Sequence, residues 1–127
     1  MPADSSTNFP PVKRNGTVYL VGAGPGDPGL LTLRAAALLA RADVIVHDAL
    51  VNTNILRHAS PKAEVIYAGK RPQQMAYTQE ALNALLIQHA RAGRTVVRLK
   101  GGDPFIFARG GEEAEALASA NIPFEVE

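Results

Sequence analysis

The sequence predicts an α/β fold with a mainly parallel sheet and helices on both of its faces. Short apolar segments rich in β-branched residues alternate with longer segments rich in alanine and leucine. The connections between them are short, which is typical of strand–helix–strand units. Glycine-rich or polar segments follow several of the strands, at the edge where parallel sheets bind ligands.

Five strands and four helices are predicted along the chain. The strands are β-branched or aromatic runs, at 17–21, 43–47, 65–68, 94–99 and 124–127. The helices are predicted at 30–42, which is rich in Ala and Leu, and at 52–59, 78–92 and 111–120. Asn52 or Thr53 is a plausible N-cap of the short second helix. The third helix places Leu82, Leu85, Leu86 and His89 on one face, and Gly93 is expected to end it.

Composition excludes several classes of function. The chain has 127 residues, enough for one domain, and a formal net charge of +1 that gives no overall attraction to nucleic acid or an anionic membrane. Cysteine is absent, which removes disulfides and thiolate chemistry and suits a cytoplasmic protein. Three isolated histidines show no metal-ligand spacing, so no metal site is expected. No apolar run reaches the roughly 18–20 residues that span a bilayer.

The segment VGAGPGDPG directly follows the first strand. Gly22, Gly24 and Gly26 allow a sharp turn and a close approach of backbone to ligand. The spacing resembles a dinucleotide-binding fingerprint, but Asp27 stands where that motif has its third glycine. Asp48, at the end of the second strand, keeps an NAD-type nucleotide-binding domain open as an alternative. A turn that only connects strand to helix is the other possibility.

A second segment, VVRLKGGDPFIFARGGEE, follows the fourth strand. Lys100 and two glycines precede Asp103, whose carboxylate can accept hydrogen bonds from the ammonium or hydroxyl groups of a ligand. Glu112 and Glu113 suit the positive end of the next helix. A plain strand–turn–helix connection with core aromatics is the alternative, although it explains less well why glycines, Asp103 and Arg109 gather in one connection.

These segments resemble the uroporphyrinogen-III C-methyltransferases among the tetrapyrrole methylases. The resemblance is carried by VGAGPGDPGLLTL, ADVIVHDALV, AGKR, VVRLKGGDPFIFARGGEEAEAL and IPFEVE, in the order of that family. It extends from about Val18 to the last residue. The resemblance implies two successive methyl transfers from S-adenosylmethionine to tetrapyrrole carbons. The products would be precorrin-2, on the route to sirohaem and cobalamin, and S-adenosylhomocysteine.

The resemblance also implies roles for individual residues. Asp48 matches a proposed proton acceptor and Lys70 a proposed proton donor. The expected cofactor-binding residues lie in the two glycine-rich segments: Gly22, Gly24, Pro25, Gly26, Gly101, Gly102, Asp103 and Ile106. Basic residues at the same edge can hold substrate carboxylates: Lys70, Arg71, Arg98, Lys100 and Arg109. The alternative for each basic residue is a solvated charge at a strand end, and Asp48 could be a structural turn residue.

The expected organisation is a disordered tail over 1–16 followed, over 17–127, by the N-terminal domain of a two-domain tetrapyrrole methylase. The chain ends within a predicted strand, and relatives continue into a second α/β domain that closes the cleft. We therefore expect the chain to be part of a larger enzyme. The resemblance implies that this enzyme forms a homodimer and acts on a small-molecule tetrapyrrole. A different possibility is that the isolated chain serves for folding or dimerisation and binds no ligand usefully.

Overall fold

The computed structural model describes residues 15–22, 32–48, 53–69, 77–100 and 109–127. Within these ranges the strands are β1 (Val18–Gly22), β2 (Val44–His47), β3 (Glu64–Tyr67), β4 (Val96–Lys100) and β5 (Phe124–Val126). The α-helices are α1 (Leu33–Arg41), α2 (Gln79–Arg91) and α3 (Arg109–Ser119), and a 3₁₀ helix covers Thr53–His58. None of the helices in these ranges is long and apolar enough to cross a membrane.

The strands form one sheet in the order β3-β2-β4-β1-β5, and every described pairing is parallel. β4 is the central strand, with β1 and β2 on either side. In register, Arg98 of β4 pairs with Leu20 of β1 and with Val46 of β2. Residues of β2 and β4 are all buried, as expected for strands covered on both faces.

Helices cover both faces of the sheet, and each face has its own apolar core. The chain runs from β1 through β2 to β3 towards one edge and then returns, and this reversal moves the later helices to the other face because crossovers between parallel strands share one hand. One core contains Leu38 of α1 and Ile55 of the 3₁₀ helix. The other contains Leu86 of α2 and Leu117 of α3. The predicted fold class is therefore confirmed.

Local signals place the ends of two helices. Thr32 caps α1 by accepting a hydrogen bond from the backbone N–H of Ala35 at 3.0 Å. Thr78 caps α2 in the same way, accepting from the N–H of Ala81 at 3.0 Å. After α2, Gly93 adopts a φ of 84°, a left-handed conformation that favours glycine, so the predicted C-terminal stop is confirmed.

The predicted elements differ from the observed ones mainly at their ends. The short second helix is a 3₁₀ helix, and the first residues of the predicted first helix lie outside the described ranges. On α2, Ala90 is fully buried, whereas His89 is half-buried and its Nδ1 accepts a hydrogen bond from Arg94 at 2.9 Å. Gly16, the last residue of the predicted tail, donates its N–H to the carbonyl of Ala90 at 2.7 Å. The ordered domain thus includes that residue.

Candidate functional site

Two basic residues of the central strand project towards α2 and α3. Successive side chains of a strand point to opposite faces. Val96 packs in the core beneath α2 and α3, and Val97 packs in the core on the opposite face. Arg98 and Lys100 therefore lie on the side of Val96. Both are at the carboxyl end of β4, and their side chains are only 5% and 6% exposed.

Asp48 approaches the same face from the neighbouring strand. It directly follows β2, in which Val46 packs in the core beneath α2 and α3 and is paired in register with Arg98. Alternation returns Asp48 to the side of Val46. Its carboxylate Oδ2 lies 3.6 Å from Nη2 of Arg98, which makes an ion pair between the two strand ends.

Glu113, in the N-terminal part of α3, meets both basic residues inside the domain. Its side chain is completely buried. Oε2 accepts a hydrogen bond from Nε of Arg98 at 3.1 Å, and Oε1 lies 3.5 Å from Nζ of Lys100. Gln79, the first residue of α2, donates from Nε2 to Oε2 of Glu113 at 3.4 Å and to Asn83 of its own helix at 2.8 Å. Glu113 is thus contacted from β4 and α2.

These side chains form one cluster, the buried charge cluster, which consists of Asp48, Gln79, Arg98, Lys100 and Glu113. Its two carboxylates and two cations cancel in formal charge. This balance is required because an uncompensated charge removed from water costs several kcal/mol. Neither Nζ of Lys100 nor Oε1 of Glu113 has a hydrogen-bond partner among the described residues, so their attraction is Coulombic rather than a well-formed hydrogen bond.

A cleft of about 370 Å³ opens beside the buried charge cluster. It lies between the ends of β2, β3 and β4 and the start of α2, and its lining residues are Asp48, Ala68, Gly69, Tyr77, Thr78, Gln79, Leu82 and Arg98. Asp48 has a side chain that is 25% exposed, compared with 5% for Arg98. The carboxylate of Asp48 therefore faces the cleft, and the more deeply buried guanidinium of Arg98 forms an ion pair with that carboxylate.

The next described elements after β2 and β4 pack on opposite faces of the sheet. The 3₁₀ helix after β2 packs on the face of α1, and α3 after β4 packs on the other face. Neighbouring strands that diverge in this way leave a crevice at their carboxyl ends, which is the usual ligand site of open parallel sheets. The ion pair between Asp48 and Arg98 spans this crevice.

Gly22 is the described residue of the predicted cofactor set. It ends β1, is paired in register with Lys100 and is half-buried at the same edge of the sheet. Its N–H donates to the carbonyl of Glu127 at 3.1 Å. A glycine at this edge leaves room for a ligand to approach the backbone, so its position is compatible with the predicted role.

Most of the predicted site residues lie outside the described residues. They are Gly24, Pro25, Gly26, Lys70, Arg71, Gly101, Gly102, Asp103 and Ile106. Arg109 is the first residue of α3, but the structure describes only its backbone and not its side chain. Among the described residues no group of three or more His, Asp or Glu side chains could hold a metal ion. The roles assigned to the site residues outside the described ranges remain predictions.

Sequence reasoning missed the importance of Glu113 and Gln79. It treated Glu113, together with Glu112, as a favourable charge at the start of a helix, whereas Glu113 is buried against two cations. It also left open that Arg98 and Lys100 are solvated charges, which is wrong for both. The alternation of Arg98 and Lys100 along a buried strand was the available signal, because two cations on one covered face require a buried acid.

The fold and this edge define a class of protein. Residues 17–126 match the sequence model of the tetrapyrrole (corrin/porphyrin) methylase family, and the chain belongs to that family. The alternative of an NAD-type nucleotide-binding domain finds no support in these comparisons.

Individual relatives are similar over most of this chain. It is 55% identical over 111 residues to a uroporphyrinogen-III C-methyltransferase of Bacillus subtilis, covering 87% of this chain and 43% of that protein. It is 56% identical over 115 residues to a siroheme synthase of Nitrosococcus oceani, covering 91% of this chain and 25% of that protein. The chain thus spans less than half the length of these relatives.

Solved structures show the same architecture. Uroporphyrin-III C-methyltransferase of Thermus thermophilus superposes with a TM-score of 0.75 at 54% identity, over 87% of this chain and 46% of that one. The same enzyme complexed with S-adenosylhomocysteine gives a TM-score of 0.74 at 49% identity, over 88% and 44%. A cobalt precorrin-4 methyltransferase gives 0.76 at 30% identity, over 87% and 44%.

Proposed function

We propose that this chain is the N-terminal, cofactor-binding domain of an S-adenosylmethionine-dependent uroporphyrinogen-III C-methyltransferase. The enzyme would transfer two methyl groups in succession to tetrapyrrole carbons and give precorrin-2, for sirohaem or cobalamin biosynthesis. The observation that carries the proposal is the carboxylate of Asp48, which faces a cleft at the carboxyl edge of the sheet and is held by Arg98. Close similarity to enzymes of that name supports it.

The cofactor would lie over the carboxyl ends of β1 and β4. When bound, S-adenosylmethionine supplies a methyl group on a positively charged sulfur. The described part of this edge fits such a ligand, because Gly22 brings bare backbone to the rim beside β4. The residues proposed to complete the cofactor site are Gly24, Pro25, Gly26, Gly101, Gly102, Asp103 and Ile106.

Asp48 is proposed to act on the tetrapyrrole as proton acceptor. A reduced pyrrole ring attacks through an electron-rich, enamine-like carbon, so positive charge develops on its ring nitrogen as the new carbon–carbon bond forms. A carboxylate in the cleft would stabilise that charge and can then take the N–H proton. Lys70 is proposed as the matching proton donor.

Basic residues would hold the carboxylates of the substrate. Arg71, Lys100 and Arg109 are proposed for this task, since guanidinium and ammonium groups bind carboxylates strongly when shielded from water. Lys100 is buried and its ammonium lies 3.5 Å from the carboxylate of Glu113, so the described geometry gives it less access to a substrate than a residue at the surface would have. The proposal also includes a cytoplasmic location and a homodimeric state. Light scattering of the purified protein would test the homodimeric state.

Calorimetric binding of S-adenosylhomocysteine, with NAD as the control ligand, tests the cofactor assignment. We expect binding of S-adenosylhomocysteine, loss of that binding in Asp103→Ala, and no binding of NAD. Asp48→Asn should retain the binding, because Asp48 is assigned to the substrate and not to the cofactor. Binding of NAD in place of S-adenosylhomocysteine would refute the proposal.

A methyl-transfer assay tests the reaction. The protein from its complete reading frame is incubated with uroporphyrinogen III and labelled S-adenosylmethionine, and label in the tetrapyrrole is followed. Asp48→Asn should lower kcat by roughly 10²- to 10⁴-fold, the usual contribution of a positioned proton acceptor. Glu115→Gln, which changes an exposed acid of α3, serves as the control. Full activity of Asp48→Asn would refute the role of Asp48.

A further inference from the structure

Arg98 is fixed on several sides at once. Its Nε donates to Glu113 at 3.1 Å, its Nη1 donates to the carbonyl of Leu99 at 3.3 Å, and its Nη2 lies 3.6 Å from Asp48. A guanidinium is planar and rigid, so a contact on one edge determines where the opposite edge points. The Glu113 contact therefore sets the direction in which Arg98 meets Asp48.

Burial of Glu113 costs desolvation free energy at a position that an apolar side chain could fill. It is completely buried, and the desolvation of a buried carboxylate can exceed the attraction to its partners. An apolar core would be at least as stable if Arg98 and Lys100 were apolar too. Glu113 compensates two buried cations, and one of them, Arg98, lines the cleft and forms the ion pair with Asp48.

The charges divide into two pairs. Lys100 faces Oε1 of Glu113, whereas Arg98 bridges Oε2 of Glu113 and Asp48. With Glu113 in place, its charge balances Lys100, and Arg98 serves as the counter-charge of Asp48. Without that acid, Arg98 would lose the contact on its Nε edge and would lie beside a second buried cation, Lys100, that has lost its carboxylate, so the geometry of its contact with Asp48 would change.

We propose that Glu113 is a positioning residue for the proton acceptor of the methyl-transfer reaction, and that it acts through Arg98 to hold the carboxylate of Asp48 in the cleft. This inference rests on the proposed function, because it assumes that Asp48 acts on the substrate. Gln79 supports the arrangement by donating to Glu113 from the first residue of α2. Glu113 itself has no exposed surface, so it reaches the substrate only through the other members of the cluster.

The test uses Glu113→Gln in the complete protein, with uroporphyrinogen III and S-adenosylmethionine as substrates. Glutamine keeps the shape of the side chain and removes its charge. We expect kcat to fall roughly 10- to 100-fold, the loss produced by a misplaced reacting group. KM for S-adenosylmethionine and binding of S-adenosylhomocysteine should stay within about 2-fold, because the cofactor site is assigned elsewhere. Glu115→Gln is the matched control, an exposed glutamate of the same helix.

A double-mutant cycle separates positioning from general destabilisation. If Glu113 acts through Asp48, Glu113→Gln should cause no further loss of rate in the Asp48→Asn background. Equal losses in both backgrounds, or an unchanged rate in the single variant, would overturn the inference while leaving the role of Asp48 intact. Full activity of Asp48→Asn would instead refute the proposed role of Asp48, and the inference with it. Absence of methyl transfer by the wild-type protein would refute the proposed function.

Arg98→Lys provides the second test and replaces the first where Glu113→Gln does not fold. Lysine keeps the positive charge but, as a point charge, loses the planar fork that contacts both carboxylates. We expect a loss of kcat of the same order, again absent in the Asp48→Asn background. An Arg98→Lys enzyme with the wild-type kcat would overturn the inference, because the bridge between Glu113 and Asp48 would then be dispensable.

Discussion

Removal of the Glu113 side chain should destabilise the domain severely. In Glu113→Ala, the ammonium of Lys100 and the guanidinium of Arg98 lose the carboxylate that lies 3.5 and 3.1 Å from them. Both cations are almost fully buried, so bulk water does not solvate them in place of the lost carboxylate. Breaking a buried ion pair from one side costs about 3–5 kcal/mol. A domain of this size has only about 5–15 kcal/mol of stability, so the loss would be a large fraction of the total.

Urea unfolding measures this effect. The midpoint should fall while the denaturant slope stays constant, which indicates a change in stability and not in the extent of unfolding. Glu115→Ala, at an exposed position of the same helix, should change the free energy of unfolding by less than about 0.5 kcal/mol.

A compensating variant identifies the cause. Lys100→Met removes one of the two cations that face Glu113, so Glu113→Ala/Lys100→Met should lose less stability than Glu113→Ala alone. The reasoning is refuted if Glu113→Ala is no more destabilised than Glu115→Ala. It is also refuted if the double variant loses the full sum of the two single losses, since the charges would then be independent.

Three further predictions concern packing and helix propensity, and the same urea unfolding can check them. Leu86→Ala should lower the free energy of unfolding by about 2–5 kcal/mol because Leu86 lies on the buried face of α2 and is fully buried. Leu33→Ala should be nearly neutral because Leu33 is 91% exposed. Equal losses in the two variants would contradict the core assignment. Gly16→Ala should lose about 1–3 kcal/mol because a Cβ there would overlap the carbonyl of Arg94, whereas a Cβ at Gly111 meets nothing within 4 Å. Gly111→Ala should gain about 0.5–1 kcal/mol from helix propensity, and a Gly16→Ala protein as stable as wild type would contradict the close approach.

Local sequence signals were sufficient for the elements and the fold class. The run DVIVH predicts a buried strand, and β2 is buried along its whole length. Gly93 predicts the end of a helix and adopts the expected positive φ. Such features depend on neighbours within a few residues, and the alternation of strands and helices then restricts the fold to a parallel sheet. The sequence also brought Gly22, Asp48 and Lys100 to one edge, because the carboxyl ends of parallel strands meet there.

Only the tertiary structure decided which charges are partners. Arg98 and Glu113 are 15 residues apart in the chain, and Gln79 and Glu113 are 34 apart. Their contacts depend on the strand order, which places β4 at the centre, and on the reversal that packs α2 and α3 on the same face. The run GGEE at 110–113 favours the start of a helix, but it does not indicate whether Glu112 or Glu113 faces the sheet. The inward direction of Glu113 is set by the docking of α3 on the sheet, because burial of its carboxylate is tolerable only where Arg98 and Lys100 already lie.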